Sequence, residues 1–353
     1  MARWSVMASA VVVLAGCARQ PVQFAAVRQQ MGTAVKIVVT GRDQRTVTQA
    51  GEAAFRKIEQ LNGLLSDYLA ASDVSRISAA AGGQPQTAAA DTFAVIELAL
   101  LWWRKTGGAF DPTVRPAIGM WREAAADDEL PSDQQLAAVR KLIGAGKIEL
   151  DRRARTIRLP AAGMSLDLGG IAKGYIVDQA ATVLRARGIR SALIDAGGDV
   201  LLIGGKTEQA PWSVAVENPP PGSAHQLVLA LRDCAVATSG DYRRGVYIHG
   251  KHYSHIIDPR TARPAERAAS VSVIAPDLTT ADALATALSV MPPDEGISLI
   301  DSLRGIEALI LSRQGAMLCA VTSKGFAESI LDGRDRLAEL QHGQHQTIPG
   351  AAL

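Results

Sequence analysis

Four short stretches of this chain place chemically capable residues at telling spacings. The first runs Ser165-Leu166-Asp167-Leu168-Gly169-Gly170-Ile171-Ala172-Lys173-Gly174-Tyr175-Ile176-Val177-Asp178. An apolar strand ends at an Asp, passes through two glycines and opens a helix with a Lys in its first turn. Glycines let backbone approach a ligand, and N–H groups at a helix N-terminus favour an anion, so a phosphate or a metal-bound phosphate suits the segment. It matches neither the P-loop nor the dinucleotide fingerprint, and a plain strand-to-helix turn reads the same way. The second stretch is Thr279-Thr280-Ala281-Asp282-Ala283-Leu284-Ala285-Thr286. On a helix Asp282 and Thr286 share a face. They make a hard, all-oxygen partial site of the kind Mg2+ takes while keeping waters or phosphates in its other positions. Capping by Thr280 and Asp282 accounts for the same residues without a metal.

The third stretch, Tyr253-Ser254-His255-Ile256-Ile257-Asp258-Pro259, delivers His255 and Asp258 from a strand into a turn. A His so placed moves protons or binds a leaving phosphate, or is simply structural. The polar turn Thr238-Ser239-Gly240-Asp241-Tyr242 carries the same two readings. The fourth, Gly107-Gly108-Ala109-Phe110-Asp111-Pro112-Thr113, holds an Asp before Pro in a rigid loop that presents one carboxylate, or merely stops a helix.

These residues must be positioned by regular elements, and the periodicities supply them. Strands are predicted over 24–28 and 34–40, and helices over 46–65, 92–106 and 132–143, with a helical turn at 72–78 and a loop with a short helix at 112–122. A hairpin spans 147–150 and 156–159. A helix over 172–187 ends at Gly188. Strands follow at 192–195, 200–203, 212–217, 226–231, 234–238, 243–248, 252–257 and 270–275, then helices over 280–290 and 294–303 and a strand pair at 306–311 and 316–321. Helices and antiparallel-type strands in uneven blocks predict an α+β fold rather than a doubly wound sheet.

Composition narrows the function classes. The chain has 353 residues, 48% hydrophobic and 20% charged, with a formal net charge of +2. That balance gives no electrostatic footprint for nucleic acid. Aromatics are only 4%, so the core rests on Ala, Val, Leu and Ile. The N-terminal run Val6–Ala15 is too short to span a bilayer in the ordinary way and ends in Leu14-Ala15-Gly16-Cys17, which looks like a lipobox. A signal peptide over 1–16, a tether over 17–22 lipidated at Cys17, a catalytic domain over 23–335 and a disordered tail over 336–353 are expected. That makes a periplasmic protein held on a membrane by lipid, the inner membrane before the outer. Cys234 and Cys319 lie in apolar strand-like runs and read as free buried thiols, with a disulfide as the alternative. No Cys/His spacing suggests zinc, and no G-x-S-x-G elbow suggests a Ser hydrolase.

Taken in order, Met31-Gly32-Thr33, Ser66-Asp67-Tyr68, Gly108-Ala109-Phe110-Asp111-Pro112-Thr113, Asp167-Leu168-Gly169-Gly170-Ile171-Ala172-Lys173-Gly174, Asp195-Ala196-Gly197-Gly198-Asp199, Thr238-Ser239-Gly240, Ser254-His255-Ile256-Ile257-Asp258-Pro259 and Ala281-Asp282-Ala283-Leu284-Ala285-Thr286 closely resemble the ApbE family, the FAD:protein FMN transferases. The resemblance runs from about Phe24 to about Ser329. It implies an ApbE/T-fold-like α+β architecture and Mg2+-dependent cleavage of FAD. FMN then passes to a Thr or Ser hydroxyl of a flavoprotein subunit of a membrane redox complex, with release of AMP. By resemblance, Gly170, Asp282 and Thr286 hold Mg2+. Met31, Tyr68, Ala109, Phe110, Asp111, Lys173 and Ile257 contact FAD, and His255 and Asp282 are the catalytic candidates. An FAD pyrophosphatase and a flavin-binding lipoprotein without catalysis are the alternatives. The chain departs from the family at Leu69, where Pro is common, and at Ser78, where Asn is common. Ala18 stands where an Asp would favour inner-membrane retention.

Overall fold

The computed structural model describes residues 21–216, 227–240, 245–314 and 317–341. The chain opens with a hairpin, β1 (Val22–Gln30) and β2 (Thr33–Gly41), followed by α1 (Gln44–Leu65) and α2 (Asp73–Ala79). Strand β3 (Gln86–Thr87), helices α3 (Ala90–Lys105), α4 (Arg115–Ala126) and α5 (Asp133–Arg140), and strands β4 (Glu149–Asp151) and β5 (Thr156–Arg158) fill the stretch before α6 (Ala172–Ala186). Next come β6 (Ser191–Ala196), β7 (Asp199–Ile203), β8 (Trp212–Val216), β9 (Leu227–Leu231) and β10 (Ala235–Gly240). Two small hairpins follow, β11 (Gly245–Ile248) with β12 (Lys251–Ser254) and β13 (Ile257–Asp258) with β14 (Arg263–Pro264). The chain continues through β15 (Ala268–Ala275), α7 (Leu278–Val290), α8 (Pro293–Asp301), β16 (Glu307–Gln314), β17 (Met317–Thr322), β18 (Ile330–Asp332) and α9 (Arg334–Gln341).

The frame is an eight-stranded sheet in the order β1-β2-β6-β7-β10-β15-β16-β17, antiparallel throughout. Helices α1, α6 and α7 pack on one face and form the main core with Val35, Ile37, Val39, Ile194, Val271 and Val273. The opposite face is covered by the three-stranded sheet β18-β9-β8 and by α9, around Leu202, Trp212, Leu229 and Phe326. Strand β15 lies between both layers and is buried along its whole length, as expected of a strand covered on two faces. A register shift between Ala268 and Ser270 restores its alternation, so that Ala268 and Val271 both face the helices while Ala269 faces away.

Helix α7 is the most enclosed element bearing candidate site residues. Every one of its residues is buried except Thr280 and Thr286. A helix that is apolar all round belongs in a core, so its one acid, Asp282, must find partners there. The cap of α7 is Asp277, whose carboxylate accepts the Thr280 N–H at 2.8 Å. Thr280 is therefore the residue being capped, because the helix begins two residues before its expected start.

The structure corrects the expected C-terminal boundary. Residues 336–341 belong to α9, and Leu337 and Leu340 bury themselves in the second core. Two leucines three apart in a mostly polar octet give little periodic signal, but the sheet supplies the surface they need. Residues 342–353 lie outside the described residues, as do Cys17 and the expected signal segment, residue 217 and its neighbours to 226, and Asp241-Tyr242. The strand expected over 252–257 is broken after Ser254, where the chain leaves one hairpin for the next. Cys234 and Cys319 are free thiols, half-buried rather than fully enclosed. Burial pushes the Cys234 thiol up to about 11. Among the described residues no helix is long and apolar enough to cross a membrane.

Candidate active site

The first two turns of α6 and α7 cross at close range, and a glycine makes this possible. A Cβ on Gly174 would stand 2.4 Å from the Leu278 carbonyl oxygen and 2.8 Å from the Thr279 Cα, so any larger residue would push the helices apart. Carboxylates join the helices in both directions. Asp282, on α7, accepts the Gly174 N–H at 3.0 Å. Asp178, on α6, accepts the Leu278 N–H at 2.9 Å, the Thr279 N–H at 2.8 Å and the Thr279 hydroxyl. Burial pushes the Asp178 carboxyl up to about 6, with the three donors pulling the other way.

This crossing brings together four of the residues singled out from sequence. A Cβ on Gly170 would fall 2.6 Å from the Thr286 Oγ1, so glycine leaves its main chain directly against that hydroxyl. Asp282 sits one turn before Thr286 on the same helix and is 4% exposed. Lys173 Nζ lies 3.9 Å from the Asp282 Oδ1 and forms a closer ion pair with Asp199, which is 3% exposed. Burial raises the Asp282 carboxyl above the usual carboxylate range, opposed by the Lys173 charge and then by the Gly174 N–H. Asp199 is fixed in turn by the Thr238 N–H at 2.9 Å. Two buried carboxylates thus face the Lys173 ammonium.

The donor set at Gly170, Asp282 and Thr286 fits a small hard cation. Among the described residues no three His, Cys, Asp or Glu side chains gather as a metal cluster. A cation here would meet one carboxylate beside neutral oxygens. That chemistry suits Mg2+, which binds through one or two carboxylates and fills its remaining positions with waters and phosphate oxygens.

The stretch before α6 is irregular backbone and not the strand its sequence predicts, and it is held by bonds to the loops that converge on it. The Asp167 N–H donates to the Pro112 carbonyl at 2.8 Å, and the Leu166 N–H donates to the Ser78 hydroxyl at 3.0 Å. Ser78, a departure from the family pattern, thus supports the segment through its side chain. Arg115, at the start of α4, pairs with Asp67 and lies 3.9 Å from Asp167. Its guanidinium stands 5.6 Å from the ring centre of Tyr68, which is 72% exposed. Arg122 donates to the Tyr68 hydroxyl at 3.2 Å. The result is an exposed aromatic face flanked by two cations, beside the segment that leads to Gly170. Burial and the neighbouring Asp167 push the Asp67 carboxyl up, with Arg115 opposing.

The loop at 107–113 is cross-braced by its own side chains, and its carboxylate is occupied internally. Asp111 accepts from the Thr113 N–H, the Thr113 hydroxyl and, at 2.9 Å, the Ala145 N–H. It ties this loop to the turn before β4, and burial raises its carboxyl. Ala109 and Phe110 turn their side chains into the main core. A ligand reaching this loop would meet its backbone.

Met31 occupies the tip of the β1–β2 hairpin at a φ of 53°, followed by Gly32 at 69°, which are the left-handed positions that a two-residue hairpin turn demands. Thr33, the next residue, closes on Gly197, whose Cβ would stand 2.3 Å from the Thr33 Oγ1. This places Met31 at the same sheet end as the Gly197-Gly198 turn that leads to Asp199. His255 is exposed, between β12 and β13, while Ile257 is buried in a third cluster with Trp121 and Ala262. Trp121 Nε1 donates to the Ala262 carbonyl at 2.8 Å. Helix α4 therefore reaches from the Tyr68–Asp167 side to the turn that follows His255. Asp258 is engaged by Arg260, which also reaches the Val290 carbonyl at the end of α7.

Residues 31–310 match the family model described as the ApbE family. The chain belongs to the ApbE family. It is 32% identical over 310 residues to the FAD:protein FMN transferase of Vibrio cholerae, covering 86% of this chain and 91% of that protein. It is 33% identical over 297 residues to the FAD:protein FMN transferase of Treponema pallidum, covering 80% and 82%. Among solved structures, the flavin transferase ApbE from Vibrio cholerae superposes with a TM-score of 0.76 at 29% identity, covering 88% of this chain and 99% of that one. The ApbE protein from Thermotoga maritima gives 0.79 at 30%, covering 88% and 100%. The α+β fold is thus the ApbE fold. Sequence reasoning passed over three residues that shape this candidate site: Arg115, Asp178 and Asp199. Asp178 and Asp199 lie inside quoted motifs, but nothing local tells an acid that binds a ligand from one that binds another helix.

Proposed function

We propose that this ApbE-family chain, an FAD:protein FMN transferase, uses Mg2+ to split FAD at its pyrophosphate. It joins the FMN half to a Thr or Ser hydroxyl of a target flavoprotein and releases AMP. The observation that carries this reading is the meeting of Gly170, Asp282 and Thr286 with Lys173 at the α6–α7 crossing. The Gly170 carbonyl, the Asp282 carboxylate and the Thr286 hydroxyl would hold the metal. When bound, it neutralises pyrophosphate charge and stabilises an in-line displacement at phosphorus.

The chain's own residues do the rest. Lys173, steadied by Asp199, sets a positive charge beside the phosphates. Tyr68 offers its exposed ring to the flavin, with Met31, the backbone of Ala109, Phe110 and Asp111, and Ile257 completing the contacts. The acceptor hydroxyl is a weak nucleophile, so it needs a base. His255, exposed to an incoming protein, takes its proton as the new P–O bond forms and the bond to the AMP phosphate breaks, AMP leaving with the electron pair. Asp282 is the poorer base because one of its oxygens is committed to Gly174 and the charge of the other is needed for the metal. The acceptor is proposed to be a flavoprotein subunit of a membrane redox complex.

The test is to incubate the mature protein with FAD, Mg2+ and a candidate acceptor domain and to weigh the acceptor. The expected outcome is an FMN adduct on a Thr or Ser, with AMP formed in equal amount. Free FMN and AMP without adduct would make the protein a pyrophosphatase, and unchanged FAD would leave only binding. We further propose that Cys17 carries lipid and holds the protein on the periplasmic side of a membrane, the inner one first. Cys17→Ser should move it from the membrane fraction to the soluble one; retention in the membrane would refute the anchor.

A further inference from the structure

We propose that Asp178 is a positioning residue for the site formed by Gly170, Asp282 and Thr286, setting its affinity for Mg2+ without touching the metal. The inference rests on the reading of those three residues as the Mg2+ ligands. Their donors come from two separate elements: the carbonyl of Gly170 stands at the entrance to α6, while Asp282 and Thr286 ride on α7. Mg2+ demands near-ideal octahedral geometry with short bonds, so the site is only as good as the placement of α7 against α6.

Asp178 fixes that placement. Its Oδ1 holds the Leu278 N–H and its Oδ2 holds the N–H and the hydroxyl of Thr279. These are the first two N–H groups of α7, which have no partner within their own helix. The Thr280 N–H is already served by Asp277, so Asp178 supplies a link between helices and not a duplicate cap. Gly174 sets how closely the helices approach, since its Cα faces the Leu278 carbonyl with no room for a Cβ. Asp178 sets how they are aligned, one turn further along α6. Together with the bond from Gly174 to Asp282, the crossing is pinned at two points. Losing one pin lets Asp282 and Thr286 swing relative to Gly170 while every ligand remains present.

Asp178→Asn keeps one carbonyl acceptor but turns an amide N–H2 toward a backbone donor. The full mature chain is titrated with Mg2+ alone by calorimetry, and the Mg2+ dependence of FMN transfer is measured at saturating FAD. Outer-sphere partners of metal sites govern affinity by about ten- to hundredfold. Asp178→Asn should weaken Mg2+ binding by about tenfold, with the transfer rate at saturating Mg2+ staying near that of the wild type. Thr279→Val removes only the hydroxyl bond, so it should fold and show a smaller weakening in the same direction. Leu340→Ala, in the second core on the far side of the sheet, serves as a destabilised control and should keep the wild-type Mg2+ midpoint. If both α6–α7 variants melt earlier yet bind Mg2+ as the wild type does, Asp178 is only structural and the inference falls. If the wild-type protein binds no Mg2+, the metal reading itself falls first.

Discussion

Asp282→Ala should abolish transfer of FMN, and Asp282→Asn should do the same with less damage to the fold. The carboxylate is almost fully enclosed, and its two oxygens face different partners: the Gly174 N–H on one side and the Lys173 ammonium on the other. Alanine removes both interactions. It leaves the Gly174 N–H unpaired in a dry crossing, which costs about 1–3 kcal/mol. Lys173 keeps its pairing with Asp199, so no lone charge is stranded. Asparagine returns an acceptor to Gly174 and recovers most of that stability, but it supplies no charge. A metal site built on one carboxylate loses its only anionic ligand in either variant. Transfer should therefore fall by at least about 100-fold in both, since metal stabilisation of the transition state is worth several kcal/mol. Adduct mass and melting temperature, measured side by side, separate the two effects. Full activity of Asp282→Ala with Mg2+ would show that the metal is held elsewhere or is not used.

What the sequence could disclose follows from the range of each interaction. The Asp282–Thr286 pair was legible because helical periodicity alone puts positions four apart on one face. The Gly169-Gly170 turn was legible because glycine and a following helix are a local pattern. The partnership of Gly170 with Thr286 was not, since it joins residues more than a hundred apart through a sheet order that no local signal encodes. The same holds for Asp178. An Asp in the second turn of a helix looks like a solvated surface residue until another helix starts against it. Asp111 is the converse case: a carboxylate that its loop sequence can present to a ligand is consumed by Thr113 and by Ala145, a partner thirty-four residues away. Helix α9 escaped notice because its stability comes from the surface it covers, with two leucines entering a core built by β8, β9 and the main sheet. Periodicity therefore located the elements, and the order of motifs located the family, while the division of acids between holding the fold and doing chemistry needed the tertiary contacts.

His255→Ala should slow transfer far more than it weakens FAD binding. The residue stands exposed between two hairpins, in a position where an acceptor protein could bring its hydroxyl. The hairpins have anchors besides His255: the Ser254 hydroxyl accepts the Ile256 N–H, the Ala265 N–H donates to the Ile256 carbonyl, and Ile257 shares a buried cluster with Trp121. Melting temperature, measured beside the rate, separates loss of the contacts His255 makes in the turn from loss of the base. General-base catalysis contributes about 100- to 10,000-fold, which sets the size of the expected loss in kcat. The sign of the pH dependence is fixed by the role. A base must be neutral to accept the hydroxyl proton, so the wild-type rate should rise with pH as the imidazole loses its proton, and this limb should vanish in the variant. Because the side chain is exposed, added imidazole should reach the gap and restore part of the rate. Wild-type rates for His255→Ala across the pH range would remove it from the mechanism. The proton would then have to leave through a group on the acceptor protein or through solvent.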